Sequence, residues 1–380
     1  MKGLSRGAFD RIVEQHQADK YSKKFRCWDQ LLTMVYGQLS GAGSLRQVEA
    51  GFNSHIAHHY HLDTGCIKRS TLADANGKRK EAVFADTAQL LMGQASRQMR
   101  KQVKQLLYLL DSTSITLKGA KFDTWTLENR TRNTQGIKLH VLLASEPHAP
   151  VWHDFSAANV NDVEKAIAVP LREGALYVFD KGYCDYNWWH RIDAAGAKFV
   201  TRFKRNAALR VEQELPIPPE AAPIVLQDRI VRFKHKHPRG GCVNLYDKPL
   251  RYISIARCDK PIPLILATND LRSTALEIAQ RYQGRWQVEL FFKWIKQHLK
   301  IKQFLGCSEN AVRIQILTAL ISYLLVVLYK QVQGLKQSLW ECLCLIRATL
   351  FQRPDIDVSL YRRRRSRLEQ LAQVQIGLFS

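Results

Sequence analysis

The spacing of apolar residues changes near residue 104, and that change limits the chain to folds that join a helical part to a sheet. Before it, apolar residues recur at three and four. Trp28, Leu31, Leu32, Val35, Tyr36 and Leu39 line one face of a helix. Gly41-Ala42-Gly43 stops that helix, and Ser44 can cap a second carrying Leu45, Val48 and Phe52. A third begins at Ser70 or Thr71 and continues past Gly77 through Val83, Ala88, Leu90 and Leu91. Short helices joined by a glycine turn suit a helix-turn-helix reader of DNA as well as a plain helical bundle.

After residue 104 the period falls to two. Leu106 to Leu110 is a short apolar run ending in Asp111, and Ile137, Leu139, Val141 and Leu143 alternate as in a half-buried strand. Asn161 and Glu164 mark a helix start, with Asn capping N3 and Glu reaching back. Ala175 to Phe179 is a second apolar run, ending in Asp180. A helix near Trp188 to Ala195 and a strand from Lys198 to Phe203 follow. Within residues 205–264, five of the chain's 12 prolines fall between 216 and 238, and strand-like runs stand at Arg251 to Ala256 and Leu264 to Ala267. They read as a mostly β insertion. A long helix from about Ser273 to Lys300 and an apolar helix from Ile314 to Tyr329 come next. The expected class is α/β (α+β). A helical N-terminal domain occupies 1–103, a mixed-sheet domain 104–345, and a basic tail 346–380.

Charge narrows the partner. Lys and Arg number 57 against 34 Asp and Glu, a formal net charge of +23. Such an excess repels itself unless a polyanion accepts it. Nucleic acid is the leading candidate, because cations that meet phosphates release condensed counterions; an acidic membrane surface is the rival. The stretch Ile316 to Tyr329 falls short of the about 20 residues a bilayer requires and reads as a buried core helix. Met1 to Lys20 lacks the apolar segment of a secretory signal. The eight cysteines show no CxxC pair, so reduced thiols in a cytosol are expected.

Two aspartates therefore end strand-like runs, and parallel neighbouring strands would bring Asp111 and Asp180 together. Hard divalent cations take such oxygen donors, with substrate phosphate completing the shell. A third carboxylate comes from the long helix. At about 100° per residue, Tyr282, Arg285, Glu289 and Lys296 share one face, with Leu290, Phe291, Trp294 and Ile295 opposite. Glu289 can join the aspartates. Arg285 can grip a phosphate bidentately, Lys296 acts as a point charge, and Tyr282 can bond a phosphate or stack on a base. Read singly, Arg285 and Glu289 form an ordinary i,i+4 pair on a solvated face.

Together these residues resemble the DDE transposases of bacterial insertion sequences, specifically the insertion-sequence-four type group with its Y-x2-R-x3-E-x6-K signature. That signature stands as Tyr282, Arg285, Glu289 and Lys296. Leu109-Leu110-Asp111-Ser112-Thr113 matches the first acidic motif, and Val178-Phe179-Asp180-Lys181-Gly182-Tyr183 the second. Phe199 to Lys204 is similar to the next strand, and Ser44 to Asn76 to the N-terminal region. The resemblance implies an RNase H-like catalytic core with a β insertion at 205–264, preceded by a helical DNA-binding domain. Asp111 would lie on the first strand, Asp180 just after the fourth, and Glu289 on a helix.

The resemblance further implies two Mg²⁺ ions, with Mn²⁺ able to substitute. Asp111 would bridge them, and Asp180 and Glu289 would each hold one. Tyr282, Arg285, Lys296, Lys181, Arg202 and Lys204 would meet DNA. The partners would be double-stranded DNA, as terminal inverted repeats and target, and a second copy in a synapsed homodimer, at the bacterial nucleoid in the cytoplasm. Some relatives stack a flipped base on a tryptophan of the insertion. This insertion has no Trp, which leaves Phe233, Tyr246 or Tyr252 for that role, or no hairpin intermediate. Two other functions stay open: an RNase H-like nuclease without strand transfer, and an inactive DNA-binding relic or repressor. His55, His58, His59, His61 and Cys66 match no standard zinc spacing and read as a polar helix or loop. Arg362 to Arg365 reads as a solvated or DNA-facing run.

Overall fold

The computed structural model describes residues 3–99, 106–132, 134–146, 148–237, 243–257 and 261–350. Arg362 to Arg365, Cys242 and Cys258 lie outside the described residues. Six helices come first: α1 (Arg6–Gln15), α2 (Cys27–Ser40), α3 (Leu45–Asn53), α4 (Ile56–His59), α5 (Arg69–Lys78) and α6 (Ala82–Met99). Then follow β1 (Leu107–Thr116), α7 (Ala120–Thr126), β2 (Gly136–Ala144), β3 (Pro150–Ala157), α8 (Asp162–Ala166), β4 (Leu176–Phe179), α9 (Tyr186–Ala194) and β5 (Lys198–Arg202). The second half holds β6 (Leu209–Glu214), β7 (Val225–Phe233), β8 (Leu250–Ile255), β9 (Leu264–Thr268), α10 (Ala275–Gln283), α11 (Trp286–His298), α12 (Glu309–Gln333) and α13 (Leu339–Thr349).

The N-terminal helices end where the sequence says they should. Gly41 closes α2 in the left-handed region at φ 76°, which glycine adopts without a Cβ clash. The Ser44 hydroxyl accepts the Gln47 N–H at 3.2 Å and caps α3. One expectation fails. The helix foreseen from Ser70 through Leu91 is two helices, α5 and α6. Asn310 of α12 donates to the carbonyls of both Asn76 and Arg79, and so holds the chain open between them. In the histidine tract, α4 runs into a 3-10 turn, Tyr60–Leu62, and His59 is buried against the Phe52 carbonyl.

Among the described residues, nine strands form one mixed sheet in the order β3-β2-β1-β4-β5-β9-β8-β7-β6. β1 pairs antiparallel with β2 and parallel with β4, and β4 pairs parallel with β5. The first and fourth strands thus stand side by side and parallel, as the resemblance to an RNase H-like core implied. Residues 205–264 do not form a separate unit. β6, β7 and β8 make an antiparallel meander, and β9 returns beside β5, so the segment widens the same sheet. A buried pair, Arg251 with Asp228 at 2.5 Å, ties β8 to β7.

The sheet divides two cores. On one face Phe179 and Phe199 of the sheet pack against Trp188 and Trp189 of α9. On the other, Leu109, Leu139 and Val141 meet α10, α11 and α12 and, beyond them, the N-terminal helices. The apolar helix is longer than its sequence stretch. α12 has 25 residues, enough in length and composition to cross a membrane, yet it is buried inside the protein against α2, α5, α6 and α13.

The long helix foreseen from Ser273 to Lys300 is two helices. At Gly284 the backbone tightens: Arg285 N–H donates to the Tyr282 carbonyl, Gln287 to Gly284 and Val288 to Arg285. These i→i+3 bonds replace the α-helical pattern at the residue with the weakest helix propensity in the segment. Leu290 is also misassigned to the packed side. α11 buries Val288, Phe291, Phe292 and Ile295, which leaves Leu290 and Trp286 facing outward.

Candidate active site

The parallel pairing of β1 with β4 ends at Leu110 opposite Phe179. The next residues are Asp111 and Asp180. β1 does not stop at Asp111, as the apolar run suggested; it continues to Thr116 on its other edge against β2. What ends is the contact with β4, and the crevice opens there. Asp180 leaves β4 in extended conformation and starts a 3-10 turn, Lys181–Tyr183.

α10 and α11 lie over this crevice, and their side chains reach both strands. Arg285 donates to Asp111 Oδ2 at 3.4 Å and to Glu289 Oε1 at 2.5 Å, so it spans the first and third carboxylates. Tyr282 donates its hydroxyl to Asp180 Oδ1 at 3.3 Å, and Arg202 from β5 pairs with the same oxygen at 3.2 Å. Lys296 Nζ donates to Thr113 Oγ1 at 2.5 Å and to the Ser114 carbonyl at 3.2 Å. The tightened turn at Gly284 keeps Tyr282, Arg285, Glu289 and Lys296 on the strand-facing side.

Burial sets the electrostatics. Desolvation lifts the Asp111 carboxyl to about 6; the Ser112 backbone N–H and Arg285 oppose the rise, and the charges of Glu289 and Asp180 add to it. The rise is chiefly lost hydration, which the Ser112 N–H and Arg285 replace only in part. Burial also lifts the Tyr282 hydroxyl to about 12, with the Asp180 charge adding, so it stays a donor. Burial and the nearby Lys302 press the Lys296 ammonium below its ordinary value.

The donor set fits a divalent cation. It is three carboxylates without thiolate or imidazole, the choice of hard ions such as Mg²⁺, and an added positive charge is what the raised Asp111 carboxyl lacks. Among the described residues, however, no three acidic, His or Cys side chains stand gathered as a ready ligand set. Arg285 bonds to Asp111 and Glu289, and Arg202 holds Asp180, so the arginines occupy carboxylate oxygens that an ion would use.

The remaining expected residues fall around this centre. Lys181 and Lys204 are exposed beside Asp180 and β5. The Tyr282 ring is buried, so stacking on a base is closed to it and the hydroxyl is its working end. None of the three aromatics offered in place of an insertion tryptophan is free. Phe233 packs on Tyr186, Tyr252 stacks on Phe203, and Tyr246 is buried beside Phe199. Two features escaped the sequence reading. Lys293 and Lys302 line the same pocket as Asp111 and Glu289; the only signal was the run of lysines from 293 to 302. Behind Asp111, Asp162 accepts from Ser112 Oγ at 3.2 Å and Lys138 Nζ at 3.1 Å. No sequence motif announced that contact.

Comparison with known proteins adds to the geometry. The family model described as a transposase DDE domain matches residues 103–325, and one described as a domain of unknown function matches residues 1–64. The chain is similar to y4zB of Sinorhizobium fredii, named as a transposase: 39% identical, over 75% of this chain and 78% of the relative. It is similar to a protein of Synechocystis named as the transposase for insertion sequence element IS4SA, 27% identical over 67% of this chain and 70% of the relative. It is also similar to one of Geobacillus stearothermophilus named for IS5377, 28% identical over 62% and 60%. Among solved structures, the piggyBac transposase synaptic complex with hairpin DNA aligns over 95% of this chain and 81% of that one, with 11% identity and a TM-score of 0.43.

Proposed function

Because this chain belongs to the DDE-domain transposases of insertion sequences, we propose that it binds the ends of its element and performs metal-dependent cutting and joining of DNA strands. The observation that carries the proposal is the arginine bridging at the end of the β1–β4 pairing: Arg285 bonds both Asp111 and Glu289, and Arg202 bonds Asp180. The three carboxylates would hold divalent ions, Mg²⁺ or in its place Mn²⁺. When bound, such ions activate water or a 3′-hydroxyl and stabilise the leaving oxygen of an in-line displacement.

The chain's own side chains do the rest. Arg285 and Arg202, once freed from the carboxylates, are positioned to grip phosphate. Arg285 offers a bidentate fork, which also fixes the strand's orientation. Lys296, anchored on Thr113, supplies a point charge two residues along β1 from Asp111. Lys181 and Lys204 meet the backbone at the rim. The Tyr282 hydroxyl, bonded to Asp180, holds that carboxylate toward the crevice and can pass its proton bond to a phosphate oxygen. Double-stranded DNA is the substrate, as element end and as target, and two copies act together when two ends are synapsed in the bacterial cytoplasm.

A strand-transfer assay tests this and separates joining from simple nicking. Duplex carrying the gene's bordering DNA, pre-cut to expose its 3′-hydroxyl, is mixed with plasmid and Mg²⁺. Wild type is expected to insert the duplex, while Glu289→Gln binds DNA and joins none. Nicking by wild type without insertion would reassign the chain as a nuclease. Full joining by Glu289→Gln would remove Glu289 from the site.

A further inference from the structure

The connection between β1 and β2 forms a concave pocket of about 290 Å³, lined by Lys118, Asp123, Arg130, Arg132 and Gln135. Among the described residues, none of the three cations has a carboxylate partner. Asp123, the acid in the lining, is taken by Gln135, whose amide donates to it at 2.6 Å. Glu128 is the other acid of the connection and lies outside the lining.

Hydrogen bonds frame the pocket. Leu117 N–H donates to the Gln135 carbonyl at 2.8 Å, and the turn is closed by Thr131 N–H to the Thr134 carbonyl at 2.8 Å. The Trp125 indole donates to the Cys307 carbonyl at 2.9 Å, pinning α7 to the approach of α12. Three neighbouring cations, all exposed, raise the local positive potential. A polyanion supplies the missing charge.

Position names the polyanion. From Asp111 to Thr116, β1 advances five residues, roughly 17 Å. Lys296 rests on Thr113 along the way. A DNA strand advances about 3.4 Å per nucleotide, so the pocket stands roughly five nucleotides from the carboxylates. We propose that Lys118, Arg130 and Arg132 form a second backbone-phosphate site, which holds the duplex some five base pairs from the point of cutting. This rests on the reading of the carboxylate crevice as the place where DNA is cut.

Salt-dependent binding tests it. The triple variant Lys118→Gln, Arg130→Gln, Arg132→Gln changes exposed residues only, and a thermal melt checks its fold. Each phosphate contact contributes about 0.9 to the slope of log affinity against log salt. On a duplex of about 40 base pairs of bordering DNA, the variant should lose roughly two to three from the slope and bind about tenfold or more weakly. A duplex ending before the pocket should bind both proteins alike. Neutral methylphosphonates at the fifth to seventh phosphates from the cut should weaken wild type and leave the variant unmoved. If the variant keeps the wild-type slope and affinity on the long duplex, the pocket is no phosphate site, while the cutting reading stands. If wild type binds no duplex, both fall.

Discussion

Replacing Asp111 by Asn should make the metal-free protein more stable, though it destroys activity. The carboxyl moves from an ordinary 3.8 to about 6 on folding. A tenfold change in an equilibrium is about 1.4 kcal/mol, so its ionised form costs the folded state about 3 kcal/mol. The side chain is 20% exposed, so solvent screens little of this. The attraction of Arg285 is already within that balance, and Asn keeps the size and an oxygen for the Ser112 N–H at 2.8 Å. The direction with pH follows from linkage. A carboxyl raised on folding gives its full stability below about pH 4, where it is protonated in both states, and loses it as pH rises through about 6. Asn mimics the protonated form. Its advantage should therefore be small, about 0.5 kcal/mol, at pH 4 and approach about 3 kcal/mol at pH 8. Chemical denaturation with chelator at the two pH values measures it. A variant no more stable than wild type at pH 8, or equally offset at both, would refute a desolvated Asp111.

Other expectations follow from the same contacts. Because ligand binding needs Asp111 ionised, Mn²⁺ affinity read by electron paramagnetic resonance should fall as pH drops below about 6, by up to about tenfold per pH unit. An onset near pH 4 would contradict the raised carboxyl. Arg285→Lys cannot span Asp111 and Glu289 with one ammonium, so strand cleavage should drop at least about tenfold with DNA binding reduced far less. Removing Asp228 leaves the Arg251 guanidinium buried and unpaired between β7 and β8. Asp228→Ala should cost about 3 to 5 kcal/mol in a denaturation measurement, whereas a loss under about 1 kcal/mol would mean the pair is solvated.

What the sequence revealed depended on how local the cause was. The run Leu106 to Leu110 and the run Ala175 to Phe179 are buried on both faces, so they read as strands without help, and the aspartates after them came with them. Ser44 and Gly41 act on their own neighbours and were equally plain. The break between α5 and α6 depends on Asn310, more than 230 positions away, and no spacing near residue 78 records it. The pairing of β9 with β5 joins residues 64 to 68 apart, so 205–264 read as a mostly β insertion without showing that it would widen the same sheet. Leu290 shows the limit of periodicity. One helical turn tightened at Gly284 and a packing partner, α12, decided which side was buried. The pairing of every carboxylate with an arginine was half visible: Arg285 and Glu289 stand four apart, but Arg202 meets Asp180 only through the sheet.

Excision from a donor plasmid tests the central claim most directly. A marker flanked by the gene's own bordering DNA is exposed to purified protein with Mg²⁺, and the rejoined or released products are read for wild type and Glu289→Gln. Excision by wild type alone, abolished by chelator, is the predicted result. Excision that survives Glu289→Gln, or no excision by wild type that binds the DNA, would contradict it.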